Sequence, residues 1–255
     1  MSERIIGLMG AMHEEIEGIL HLMSDILETS SGMRTYYRGK INNINVVVVF
    51  SRWGKVASAA TISDLILQFN ISELIFTGVA GAVSDDLNVG DIVIAKRLIQ
   101  HDMDARPLFE RYEIPLLEKT FFDTDEYLTK IANKAVRSLL EKKNLHEVIS
   151  DDEKTKFGII DPKLLIGEVA SGDKFFANKK DKEILVSDLK DILCVEMEGA
   201  SVAQVCYEYN IPFAVIRTIS DRSDDSSHID FPAFIKNISS IYSKEIIKNI
   251  FDQLN

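Results

Sequence analysis

Ile192-Leu193-Cys194-Val195-Glu196-Met197-Glu198-Gly199-Ala200-Ser201-Val202-Ala203 joins an apolar run to a run of small residues through two carboxylates. The first four residues read as a buried strand and the last five as the start of a buried helix. Carboxylates are almost never fully buried without partners. In an α/β protein the carboxyl end of a strand is where ligand sites are built. Two readings of Glu196 and Glu198 stay open at this point. Either the acids turn to solvent at a strand–helix junction, or they face a ligand.

The same strand-then-helix pattern recurs on both sides of this tract. Ile5 to Met9 reads as a strand, followed by a helix from about Met12 to Met23. Tyr36 to Ile41 and Ile44 to Ser51 read as two strands with Asn42-Asn43 as the turn between them. Val56 to Phe69 is helical. Leu74-Ile75-Phe76 is a buried strand running into Thr77-Gly78-Val79-Ala80-Gly81-Ala82, and Asp91 to Gln100 is a strand after a Gly90-Asp91 turn. Leu128, Ile131, Ala135, Val136, Leu139 and Leu140 form a helical stripe, with Asp123 or Thr124 as its N-cap. Residues 142–156 read as an exposed loop within one domain, 1–255. Leu164 to Ala170 and Phe213 to Ile219 are further strands. Helices start near Lys179, Met197 and Asp230, the last with Asp230 as N-cap and Pro232 in its first turn. Strands alternating with helices imply an α/β fold, a largely parallel sheet covered on both faces.

Composition narrows the function. With 255 residues, 46% hydrophobic and 27% charged, the chain can bury a sizeable core. Its net charge of −11 argues against nucleic acid and against an anionic membrane surface. Cys194 and Cys206 sit in apolar stretches and read as reduced core residues. No signal-peptide pattern and no membrane-length apolar run is visible, so a cytoplasmic protein is expected.

Four loops after strands carry unusual chemistry. In Gly10-Ala11-Met12-His13-Glu14-Glu15, acids at a helix start favour the macrodipole; that accounts for Glu14 and leaves Glu15 free for chemistry. Those carboxylates also argue against a phosphate site. Thr77 to Ala82 permits close backbone approach to a ligand, although tight packing would want the same residues. In Ser171-Gly172-Asp173-Lys174-Phe175-Phe176 the aromatics could stack on a planar ligand, with core packing the commoner use of such a pair. In Arg217-Thr218-Ile219-Ser220-Asp221, Arg217 lies among apolar neighbours and needs a carboxylate, with Glu15 and Glu196 as candidates. Asp224 and Asp225 read as solvated loop charges, and His228 as either a surface residue or a group at the mouth of the site. His101, Asp102 and Asp104 match no established zinc spacing, so no metal is expected and His101 reads as a hydrogen-bonded strand-end residue.

Gly10-Ala11-Met12-x-Glu14-Glu15, Thr77-Gly78-x-Ala80-Gly81, Val89-Gly90-Asp91, Ser171-Gly172-Asp173-x-Phe175, Val195-Glu196-Met197-Glu198 and Ser220-Asp221 together resemble the 5′-methylthioadenosine/S-adenosylhomocysteine nucleosidases of the purine nucleoside phosphorylase superfamily. The resemblance runs from residue 5 to about 250. It implies a mixed, partly barrel-like central sheet flanked by helices, and a homodimer. It implies hydrolysis of an N-glycosidic bond, releasing adenine from a 5′-thio-ribosyl nucleoside without a cofactor. By position, Asp221 would protonate purine N7 with Ser220 orienting it, and Glu15 would activate the attacking water beside Arg217. Glu198 would hold the ribose hydroxyls over Met197, with Glu196 supporting the site. Phe175 would stack on the purine and the Phe176 backbone would read its edge. Val79, Ala80 and Gly81 would line the site. To act as an acid, Asp221 needs a pKa raised by desolvation and neighbouring acids.

Two departures stand out. Val79 occupies a position where many members carry serine, and Arg52-Trp53 stands where smaller residues are common. The resemblance also implies that residues 101–115, through Leu108 or Phe109, line the partner's 5′-alkylthio pocket. Three other functions remain in view: an aminodeoxyfutalosine hydrolase, a phosphate-dependent purine nucleoside phosphorylase, and a non-catalytic nucleoside-binding protein.

Overall fold

A computed structural model describes residues 3–223 and 230–254. The expectations for Asp224, Asp225 and His228 lie outside these. Ten strands form one mixed sheet among the described residues. In chain order the elements are β1 (Ile5–Gly10), α1 (His13–Leu20), β2 (Ser24–Ser31), β3 (Arg34–Ile41), β4 (Ile44–Phe50), α2 (Lys55–Leu67), β5 (Glu73–Ala82), β6 (Ile92–Gln100), β7 (Phe121–Asp123), α3 (Glu126–Leu140), α4 (Lys142–Val148), α5 (Asp151–Phe157), β8 (Leu164–Ser171), α6 (Lys179–Asp188), β9 (Ile192–Glu196), α7 (Gly199–Tyr209), β10 (Phe213–Asp221), α8 (Phe231–Phe234), a π-helical turn (Ile235–Ser239) and α9 (Ser240–Leu254).

The strand order is β10-β6-β8-β9-β5-β1-β4-β3-β2, and β10 also pairs with β5. That pairing closes β10, β6, β8, β9 and β5 into a ring, the partly barrel-like half of the sheet. β1 runs parallel to β4 and β5, and β10 parallel to β5. β10–β6, β5–β9 and β3–β4 are antiparallel, so the sheet is mixed rather than largely parallel.

Strand alternation divides the core into two layers. Val47 and Val49 of β4, with Leu74 and Phe76 of β5, pack toward α2 and α7. Val46 and Val48, with Ile75, pack toward α1, α3 and α9. Both cysteines are free and buried. No helix among the described residues is long and apolar enough to cross a membrane.

Several local expectations change. Thr77–Ala82, expected to leave a strand, is itself strand: it pairs with β10 from Thr77 opposite Ile216 onward, and with β9 at Gly81 opposite Val195. β2, unseen in the sequence, is an edge strand exposed along nearly its whole length, so no apolar alternation marks it. The N-cap of α3 is Asp125, whose carboxylate accepts the Leu128 N–H at 2.8 Å. Asp123 instead ends β7, and Thr124 bonds the Ala95 carbonyl. Residues 142–156 are mostly helical, as α4 and α5. Ser150 caps α5, acids fill its first turn, and Gly158 stops it in the left-handed conformation at φ 67°. No residue of α5 is buried, which hides its helical period. Asp230 precedes α8 without a side-chain capping bond, its carboxylate meeting Lys156 at 2.6 Å.

Candidate active site

The ends of β1, β5, β9 and β10 converge on one cleft of about 630 Å³, counted to its open mouth. Glu15, Glu198, Arg217 and Asp221 line it together with Met197, Val79, Phe175 and Trp53. Sequence positions as distant as 15 and 221 therefore share one concave site, the kind of place where small-molecule ligands bind.

Glu15 forms one wall and is fully buried. It stands three residues after the helix-capping position, from where a glutamate reaches back over the first turn. One carboxylate oxygen accepts the N–H groups of Ala11 at 2.6 Å and Met12 at 3.0 Å, and the other accepts that of Val79 at 3.2 Å. Glu15 thus caps α1 as well as lining the cleft, while Glu14 is exposed in the same first turn, where its charge favours the macrodipole. Burial pushes the Glu15 carboxyl above the usual range, against the opposing pull of Arg217 and the three N–H donors. A side chain at Gly78 would crowd this wall, its Cβ lying 3.1 Å from the Glu15 carboxylate.

Arg217 is buried with its guanidinium 4.1 Å over the Phe76 ring. It donates to the Phe76 and Ile216 carbonyls, and at 2.8 Å to Glu196. Of the two carboxylates named as candidates, Glu196 takes the ion pair. Glu196 also accepts from Ser171 Oγ and from the N–H groups of Glu198 and Gly199. Its oxygens are engaged within the protein, which suits a strut between β9, β8 and β10.

Glu198 lies beyond that strut. One oxygen accepts the Gly54 N–H at 2.7 Å. Burial raises its pKa, and the nearby Glu196 charge adds to the effect. Met197, half-buried, lines the cleft between the two acids.

At the opposite end stands Asp221, 7% exposed. Ser220 Oγ donates to one of its oxygens at 2.8 Å, and the Ser223 N–H to the other at 2.8 Å. A register shift between Ile219 and Asp221 interrupts the β10–β5 ladder there, the kind of irregularity that re-aims a side chain. Gly81 faces this point, where a Cβ would come within 2.9 Å of the Asp221 carboxylate. Ala80 and Gly81 both line the cleft.

The two phenylalanines divide. Phe175 is half-exposed on the cleft, its ring 6.0 Å from that of Phe231 in an edge-on contact. Phe176 has its side chain in a small core with Ile99, Leu185 and Val195, against His101. His101 directly follows the end of β6, its backbone N–H donating to the Ser171 carbonyl at 3.0 Å, while its ring Nε2 has no hydrogen bond among the described residues. Asp102 and Asp104 are paired with Lys55 and Arg106.

Phe231, Lys174, Met12 and Ser223 line the cleft although the sequence reading passed over them. A lone Phe231 beside Pro232, far along the chain from Phe175, carries no local signal for such a role. Trp53, noted as a departure, is on the cleft and 58% exposed. Residues 101–115 lie outside the lining of this chain's own cleft.

Comparison with known proteins agrees with the geometry. The phosphorylase superfamily pattern matches residues 5–251. An aminodeoxyfutalosine nucleosidase of Helicobacter pylori is 34% identical over 250 residues, 98% of each chain. A 5′-methylthioadenosine/S-adenosylhomocysteine nucleosidase of Oceanobacillus iheyensis is 33% identical, covering 96% of this chain and 98% of its own. Among solved structures, an S-adenosylhomocysteine nucleosidase of Streptococcus pyogenes in complex with 5-methylthiotubericidin superposes with a TM-score of 0.85 at 28% identity, over 100% of this chain and 99% of the other. With the superfamily pattern matched over residues 5–251 and a relative 33% identical across 96% of it, the chain belongs to the phosphorylase superfamily and, within it, to the family of the 5′-methylthioadenosine/S-adenosylhomocysteine nucleosidases.

Proposed function

We propose that this protein is a nucleosidase that hydrolyses the N-glycosidic bond of 5′-methylthioadenosine and S-adenosylhomocysteine, releasing adenine and the 5-thio-ribose. The observation that carries this reading is Glu15, a buried carboxylate whose two oxygens are pinned by three backbone N–H groups at the cleft wall. A carboxylate there repels phosphate and suits water. The buried cation of the site, Arg217, is already engaged by Glu196.

In this mechanism the bond breaks through an oxocarbenium-like sugar. Asp221 donates a proton to purine N7, so that adenine leaves as a neutral base; Ser220 orients the acid. Ionised Glu15 takes a proton from the water that attacks the sugar carbon. Glu198 accepts hydrogen bonds from the ribose 2′ and 3′ hydroxyls, and its charge and that of Glu15 favour the developing cation. Met197 packs beneath the sugar and Phe175 against the purine. General acid and general base are each worth about 10²–10⁴-fold. We further propose a cytoplasmic homodimer in which residues 101–115 line the partner's 5′ pocket; Leu108, 83% exposed, suits that role.

Turnover of both nucleosides with and without phosphate tests the reading. Hydrolysis should proceed equally in either condition, and strict phosphate dependence would overturn it. A second reading, hydrolysis of aminodeoxyfutalosine, is favoured by the H. pylori relative and uses the same acids. Comparing kcat/KM for the three nucleosides decides between them.

A further inference from the structure

Two short turns carry the groups that face the two halves of the proposed substrate. The turn before α2 presents Trp53 to the cleft and holds Glu198 through the Gly54 N–H. The turn after β8 presents Lys174, Phe175 and Phe176. Neither turn is held by a regular ladder. They are tied to each other instead, through three side chains that the sequence reading gave no role in the reaction.

Asp102, just past β6, receives the Lys55 ammonium on one oxygen at 2.5 Å and the Asp173 N–H on the other at 3.0 Å. Asp173 in turn accepts the Lys55 backbone N–H at 2.8 Å. The ring Lys55–Asp102–Asp173–Lys55 is closed, and it joins β6, the start of α2 and the turn after β8. The pair is partly shielded, with side-chain exposures of 18% for Lys55 and 32% for Asp102. A lone exposed ion pair would contribute little, but a network with two backbone N–H donors fixes position as well as charge. The packing beneath it is close. Gly54 sits at φ 91°, where a Cβ would come 3.0 Å from the Asp173 carboxylate, and the His101 ring fills the space a side chain on Gly172 would need.

We propose that Asp102 and Lys55 are positioning residues of the nucleosidase reaction, an ionic clasp that keeps the sugar-holding turn and the base-stacking turn in register. This rests on the function proposed above. The clasp lies away from the reacting bond, and Glu15 and Asp221 have backbone anchors of their own. Its contribution is therefore mainly to substrate binding, which appears in KM, with only the small change in kcat that a slight shift of Glu198 brings.

The test is steady-state kinetics of Asp102→Asn, Lys55→Met, the double variant and Lys55→Arg, each with its Tm. Each single loss should raise KM about tenfold with kcat within about threefold. The double variant should be no worse than either single one, since the two act as a unit. Lys55→Arg should restore KM to within about threefold, because the charge returns. Unchanged KM, a loss confined to kcat, or additive losses in the double variant would each overturn the proposal. If the wild-type protein hydrolyses none of the nucleosides, the function proposed above has failed. Calorimetric binding of the intact nucleoside then still reads the clasp, with about tenfold weaker affinity in Asp102→Asn as the expected result.

Discussion

Arg217 and Glu196 meet at 2.8 Å with both side chains 2% exposed, a buried ion pair in the wall of the cleft. Removing one member leaves the other charge buried without its counterion, at a cost of about 3–5 kcal/mol. Arg217→Met and Glu196→Gln should each destabilise strongly in chemical denaturation, and the double variant should lose far less than the sum. Additive losses would show that the pair is not coupled.

Glu198 leads to an opposite expectation for stability. Burial and the Glu196 charge raise its folded-state pKa above the unfolded value. An acid shifted this way stabilises the fold fully below its unfolded pKa, and that contribution is lost as pH rises through the folded value. At neutral pH the wild-type protein has therefore given up stability to keep this carboxylate in place. Glu198→Gln retains an oxygen for the Gly54 N–H and removes the charge. It should raise Tm at pH 7 by a few degrees, at about 2–4 °C per kcal/mol for a chain of this size, and flatten the fall in stability between mildly acidic and mildly alkaline pH. The same variant should lower kcat/KM about 10²-fold by weakening the hold on the ribose. A Tm that falls, with an unchanged pH dependence, would contradict this account.

The pH–rate profile reads Glu15. Its carboxyl is shifted upward by burial, and as a base it must be ionised. The acid limb of kcat/KM should lie above the ordinary carboxylate range, with activity lost as pH falls through it. Glu15→Gln should cost about 10²–10⁴-fold in kcat. It should not show the stabilisation expected for Glu198→Gln, because all three groups bonded to Glu15 are donors and an amide nitrogen cannot accept from them.

Much of this site was legible because its chemistry sits at strand ends. The Glu196-Met197-Glu198 junction falls where the apolar run stops, and the Asn42-Asn43 hairpin turn has both residues at positive φ, 48° and 65°. What stayed hidden depends on surroundings the chain cannot display locally. β2 is polar because it is an exposed edge. The partner of Arg217 depends on how β9 and β10 are placed across the barrel. The capping role fell to Glu15 because only the side chain three residues past the cap can turn back to Ala11 and Met12, a matter of helix geometry and not of composition.

The central claim is that Asp221 donates the proton which makes adenine leave. Asp221→Asn keeps the size of the side chain and an oxygen for the Ser223 N–H, so nucleoside affinity should stay within about threefold while turnover falls by about 10²–10⁴-fold. Calorimetric binding and single-turnover adenine release on the same preparation give both numbers. Lost turnover with retained binding is the predicted result; turnover close to that of the wild-type protein would contradict the account.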